Sequence, residues 1–167
     1  MQYNRKNISP LNTFIPFEEG VHQAKIVKVE AKKSKSQNNL FEFHLEGINR
    51  EQGRFYLTFG LDWSNANLQR ILASIEDNNQ IIALIDYGYN QETLGFLTNK
   101  YVFIKAVKRT GTYIDKNGIE QPEKGTEIKN FLTKEEYNKL GGNAQQHSND
   151  PFAGSSTIDI SDDDLPF

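Results

Sequence analysis

Cysteine is absent from the 167 residues, which removes disulfides, thiolate metal sites and cysteine nucleophiles together and suits a reducing cytosol. No apolar run approaches the ~18 residues a membrane helix needs. The opening MQYNRKNISPLNTF also lacks the long apolar stretch of a signal peptide, so a soluble cytoplasmic protein is expected. There is no Walker loop and no Gly-x-Ser-x-Gly, and the three histidines, His22, His44 and His147, are scattered without metal-ligand spacing. Glu42 and Glu46 share one strand face, where paired carboxylates are ordinarily solvated. No catalysis, cofactor or metal is therefore expected. Lysine and arginine are missing from the last 27 residues, which hold five acids: Asp150, Asp159, Asp162, Asp163 and Asp164. The net charge of −3 thus divides into a body of +2 over residues 1–140 and a tail of −5.

The length suits one compact domain with an appendage. Residues 1–19 read as an irregular arm whose Phe14, Ile15 and Phe17 can anchor it to the body. Val21–Ala31 alternates imperfectly, with Ile26 and Val27 adjacent, which predicts a long first strand that bends at a bulge. Leu40–Gly47 and Gly53–Leu61 alternate cleanly as the second and third strands. Ser64 is the expected N-cap of an amphipathic helix carrying Leu68, Ile71, Leu72 and Ile75, and Trp63 before it can staple the helix start. The apolar stretch IIALIDY extends or follows that helix.

Lys100–Arg109 is the fourth strand, with Tyr101, Phe103, Lys105 and Arg109 on one face. DKNG, at 115–118, signals a hairpin turn inside a long polar excursion. Thr126–Leu132 returns as the fifth strand, and Thr133 with Glu136 forms the capping box of a closing helix. Three strands, a helix and two strands is the order of an oligonucleotide-binding (OB) barrel, a mainly β fold expected here over residues 20–140. Residues 141–157, rich in Gly, Asn, Gln and Ser, form a flexible linker, and residues 158–167 an acidic tip, so a disordered acidic C-terminal tail is expected.

The tip places Asp162, Asp163 and Asp164 beside Leu165, Pro166 and Phe167. Phe167 can fill an apolar slot while its terminal carboxylate meets an arginine, and the aspartates steer the segment to a basic surface. A tail serving only solubility has no reason to end on Leu-Pro-Phe. DDDLPF resembles the acidic tip of bacterial single-stranded-DNA-binding proteins, including the terminal Pro-Phe, and follows the same kind of linker. The resemblance covers about 27 residues of the chain. It implies a barrel that binds and protects single-stranded DNA in replication, recombination or repair, without strong sequence preference. It also implies a tip that recruits DNA-processing proteins, a homo-oligomer, and a setting in the bacterial cytoplasm. The body departs from ordinary bacterial members in its N-terminal arm and is more similar to phage-encoded versions, which would act in the host cytoplasm.

Single-strand binders combine a basic groove with aromatic faces, since every base can stack and every nucleotide carries a phosphate. The aromatic candidates are Tyr56 beside Arg54, Tyr101 and Phe103 beside Lys105 and Arg109, Trp63 before the helix, and Tyr113 on the excursion. Phe103 and Trp63 are the two most easily accommodated in a core. Lys25, Lys28, Lys32, Lys33 and Lys35 form the densest basic cluster and can follow phosphates. The alternative is a non-enzymatic adaptor whose barrel binds a recombinase or helicase rather than DNA.

Overall fold

The computed structural model describes residues 14–142. The parts of the arm before Phe14, the linker after Gly142 and the whole acidic tip lie outside the described residues. β1 (Gly20–Lys33), β2 (Asn39–Gly47) and β3 (Gln52–Thr58) form consecutive antiparallel pairs. They are followed by α1 (Ser64–Glu76), α2 (Gln91–Leu97) and β4 (Tyr101–Lys108). A small hairpin of β5 (Thr112–Ile114) and β6 (Glu120–Pro122) precedes β7 (Thr126–Leu132) and α3 (Lys134–Lys139).

The main sheet runs β3-β2-β1-β4-β7, antiparallel throughout. β1 can serve both halves because it is long and bent: Gly20 to Lys25 pair with β4 and the residues from Ala24 to Lys33 with β2. The register shifts between Ile26 and Lys28, so Val27 is the extra residue of a bulge, at the position where the alternation breaks in the sequence. The two edge strands, β3 and β7, then approach one another and nearly close the barrel. The result is a five-stranded OB barrel with α1 between its third and fourth strands.

The interior is filled by Phe41, Phe43, Leu45, Leu57, Ile104 and Phe131, with α1 closing one end through Leu68, Ile71, Leu72 and Ile75. Phe55 and Phe131 meet edge to face at 4.9 Å, and Phe43 contacts both. The buried Ser74 hydroxyl accepts from the Phe103 N–H at 2.8 Å and donates to its carbonyl at 3.3 Å, satisfying β4 backbone groups at the helix contact.

Three expectations are corrected. Ser64 is the first residue of α1 rather than its cap: its hydroxyl donates to the Thr58 carbonyl and accepts from the Leu61 N–H, tying the helix to the end of β3. Trp63 occupies the cap position and is 59% exposed, so it staples nothing. β3 stops at Thr58, and residues 59–63 turn into the helix. IIALIDY does not extend α1 but follows it, in neither helix nor strand form, and α2, which the sequence reading did not include, comes next with Asn90 capping through the Thr93 N–H. The DKNG turn closes the β5–β6 hairpin, and the Thr133–Glu136 capping box is present.

Candidate nucleic-acid interface

In an OB barrel the outer face of the second and third strands, with the loops after the first and fourth, is the part that meets oligonucleotides. Strand pairing decides which side chains share that face. Lys28, His44 and Arg54 form one row across β1, β2 and β3, and Glu30, Glu42 and Tyr56 form the next. Lys32 follows on β1. Alternation puts all of them outside, yet the row centre, Glu42, is only 2% exposed, because its larger neighbours fold over it. The expectation that this carboxylate is solvated is therefore wrong.

One Glu42 oxygen accepts from Lys32 Nζ at 2.5 Å and lies 3.3 Å from His44 Nε2. The other accepts from Tyr56 Oη at 2.9 Å and Arg54 Nη1 at 3.3 Å. Glu30 adds contacts to His44 Nε2 at 2.9 Å and Lys28 Nζ at 3.6 Å. The Lys32 hydrogen bond does most to pull the Glu42 pKa down to about 2; burial opposes it, and Tyr56 and the charges of Lys32 and Arg54 assist. Reciprocally, Lys32 is raised by the bond to Glu42. Glu42 is thus an anion at any ordinary pH. It has no proton to exchange near neutrality, and it ties together Lys32, His44, Tyr56 and Arg54. Glu30, Glu42 and His44 bring three potential ligand atoms within 4.8 Å of one another. Lys28, Lys32 and Arg54 already face those carboxylates, so the cluster is an ion-pair network rather than a metal cage.

Anchored from beneath, Tyr56 keeps 53% of its surface in solvent, with the Arg54 and Lys32 head groups beside it. Arg54, Tyr56, Lys28 and Lys32 are therefore brought together. Lys33 and Lys35 stand exposed at the β1–β2 loop, beyond the Thr58 end of β3. Trp63 lies near the same end, four residues after Phe59, whose N–H donates to the Asn39 carbonyl. The β5–β6 hairpin carries the exposed Tyr113 on the excursion between β4 and β7, which Arg109 opens. The basic β1–β2 loop thus lies at the Thr58 end of β3, while Arg109 and Thr126, which flank the hairpin, line one groove with Gln52 and Gly53 at its other end.

The remaining candidates lie elsewhere. Lys25 pairs with Tyr101 on the β1–β4 half of the barrel, its ammonium 5.7 Å from the ring centre. Lys105 belongs to that half as well, opposite Val21. Phe103 is 7% exposed and lies 4.3 Å from the Tyr137 ring of α3, in a small second core with Val21 and Leu132. It offers no face to a base and is withdrawn from the strand-binding set.

A groove of about 760 Å³ follows the seam between β3 and β7. Phe17, Phe55 and Ile128 lie at its base, and Phe14, Val27, Arg54, Tyr56 and Arg109 line it further out. Phe14, Val27 and Glu42 were missed by the sequence reading. The Glu42 network was accessible by pairing the second and third strands, which sets Glu42 opposite Tyr56. No protein-family model matches the chain, and no curated protein matches it.

Proposed function

We propose that this protein binds single-stranded DNA across the outer face of β1, β2 and β3 and recruits DNA-processing proteins through its acidic C-terminal residues. The observation that carries the reading is the half-exposed Tyr56, fixed by Glu42 between Arg54 and Lys32 on the face an OB barrel uses for oligonucleotides. A stacking ring flanked by two cations suits a base and its phosphates. The basic β1–β2 loop and the Tyr113 hairpin extend the same path in both directions. The tip Asp162–Phe167, with its likeness to bacterial single-strand binders, supports a partner-binding end distinct from the barrel.

The decisive experiment is fluorescence polarisation with labelled single-stranded and duplex oligonucleotides at two salt concentrations, using the full chain and a form ending at Leu140. Single-strand preference that weakens with salt and survives truncation is expected. Absence of binding by both forms would overturn the reading. It would favour an adaptor that meets a recombinase or helicase, for which the fully exposed Ile81 and Leu84 offer an apolar contact.

A further inference from the structure

We infer that the groove at the β3–β7 seam is a slot for one unstacked nucleobase, with Phe14 of the N-terminal arm as a stacking residue. The inference rests on the single-strand reading and adds a subsite next to Tyr56, built on Phe14. The Ile15 carbonyl accepts from the Gln52 N–H at 2.7 Å, and Pro16 forms a parallel bridge with Gln52, so the arm lies along β3. On the other side the Thr126 hydroxyl donates to the Phe17 carbonyl, tying the arm to β7, and the Phe17 ring is buried. The chain is thus pinned to both edge strands within three residues of Phe14, which nevertheless remains 65% exposed and lines the groove.

The bulge in β1 contributes the second element. It turns Val27 outward, half exposed, so that an aliphatic side chain lines the groove among otherwise polar outer positions. Phe55, only partly buried at the incompletely closed seam, supplies aromatic surface below. Arg54 and Arg109 bring two guanidinium groups to a polar rim that also holds the Glu46 and Glu127 carboxylates, and each arginine keeps about half of its side chain in solvent (59% and 44%). Aromatic and aliphatic walls with two planar cations at the edge form the chemistry that takes a base by its face and the adjoining phosphate by its charge. The volume lies within the ~300–1,000 Å³ range of small-ligand sites. A strand leaving Tyr56 toward the β5–β6 hairpin passes this opening, because Tyr56 and Arg109 line the same groove.

The test compares the full chain with Phe14→Ala and Phe14→Trp on two labelled oligonucleotides, one of thymidines and one of equal length built from abasic sites. Phe14 is exposed, so equal melting temperatures should show that both variants fold. Base stacking is worth ~1–3 kcal/mol, so Phe14→Ala should weaken thymidine-strand binding by about 5- to 150-fold, and Phe14→Trp should restore it. The salt dependence should stay unchanged, and the alanine penalty should vanish on the abasic strand. Binding of the thymidine strand that ignores Phe14, or a loss of equal size on the abasic strand, would overturn the slot while leaving the single-strand reading intact. Failure of the unaltered chain to bind any single strand would instead overturn that reading.

Discussion

Replacing Glu42 by glutamine probes how the outer face is held together. The carboxylate is almost wholly buried and accepts from Lys32, Tyr56 and Arg54. Its pKa is lowered from 4.5 to about 2, chiefly by Lys32. At ~1.4 kcal/mol per pKa unit, that shift corresponds to about 3 kcal/mol in favour of the charged carboxylate in the folded protein. Lys32 and Arg54 keep 47% and 59% of their side chains exposed, which screens the attraction. A net cost of about 2 kcal/mol is therefore expected for Glu42→Gln, or about 6 °C in melting temperature for a domain of this size. The sign of the pH dependence follows from the direction of the shift. A carboxyl depressed on folding stabilises fully above its unfolded pKa, and that stabilisation drains away as pH falls from about 4.5 through 2. Urea unfolding followed by circular dichroism should separate the two proteins by about 2 kcal/mol at pH 7, with the gap narrowing steadily toward pH 2. Other depressed carboxyls, such as Glu136, are common to both proteins and cancel in the difference. Equal stability at pH 7, or a gap that persists undiminished into acid, would refute the network's energetic role.

Phe103→Ala should cost about 3 kcal/mol in denaturant unfolding by emptying the small core against Tyr137, while leaving single-strand affinity unchanged where the protein is folded. A folded variant with weakened binding would return Phe103 to the interface. Removing residues 141–167, which carry −5, should tighten single-strand binding at low salt, with the difference disappearing at high salt. Unchanged affinity at low salt would show that the tail does not compete for the basic face. Gly118 sits at φ 77° in the β5–β6 turn, so Gly118→Ala should cost ~1 kcal/mol within the hairpin, seen as faster hydrogen exchange at the Ile119 amide that donates to Asp115. Unaltered exchange there would argue that the turn is not strained by a side chain.

Much of the barrel was legible because its strands are half buried, so alternation reports both element and face. Phe41, Phe43 and Leu45 point inward as the pattern requires, and even the bulge announces itself in the adjacent Ile26 and Val27. The stretch from Ile81 to Leu97 was not legible. Ile81 and Leu84 look like core yet are exposed, while the polar Thr93 is fully buried, because tertiary contacts rather than local pattern set that segment. Ser64 misled for a related reason: a cap residue type can equally place its hydroxyl on a neighbouring strand end. The face of Phe103 was read correctly, but α3 covers that part of the outer surface, and alternation within one strand cannot see a helix arriving from 30 residues downstream.

The candidate site shows the same limit in its charges. Counting lysines and arginines on the outer face overstates its basicity, because Lys28, Lys32 and Arg54 face Glu30 and Glu42, leaving a single net positive charge among those five groups. A body of only +2 then shifts the binding, on the single-strand reading, from phosphate attraction toward stacking. On the single-strand reading the buried carboxylate gives up some phosphate attraction in exchange for a fixed Tyr56 ring, and stacking contributes ~1–3 kcal/mol per base with little dependence on salt. On that reading the cations without a carboxylate partner among the described residues, such as Lys33 and Lys35 at the β1–β2 loop, are the ones left to supply steering. Position of charge relative to its counter-charge, rather than its sum along the chain, therefore decides what this surface can attract.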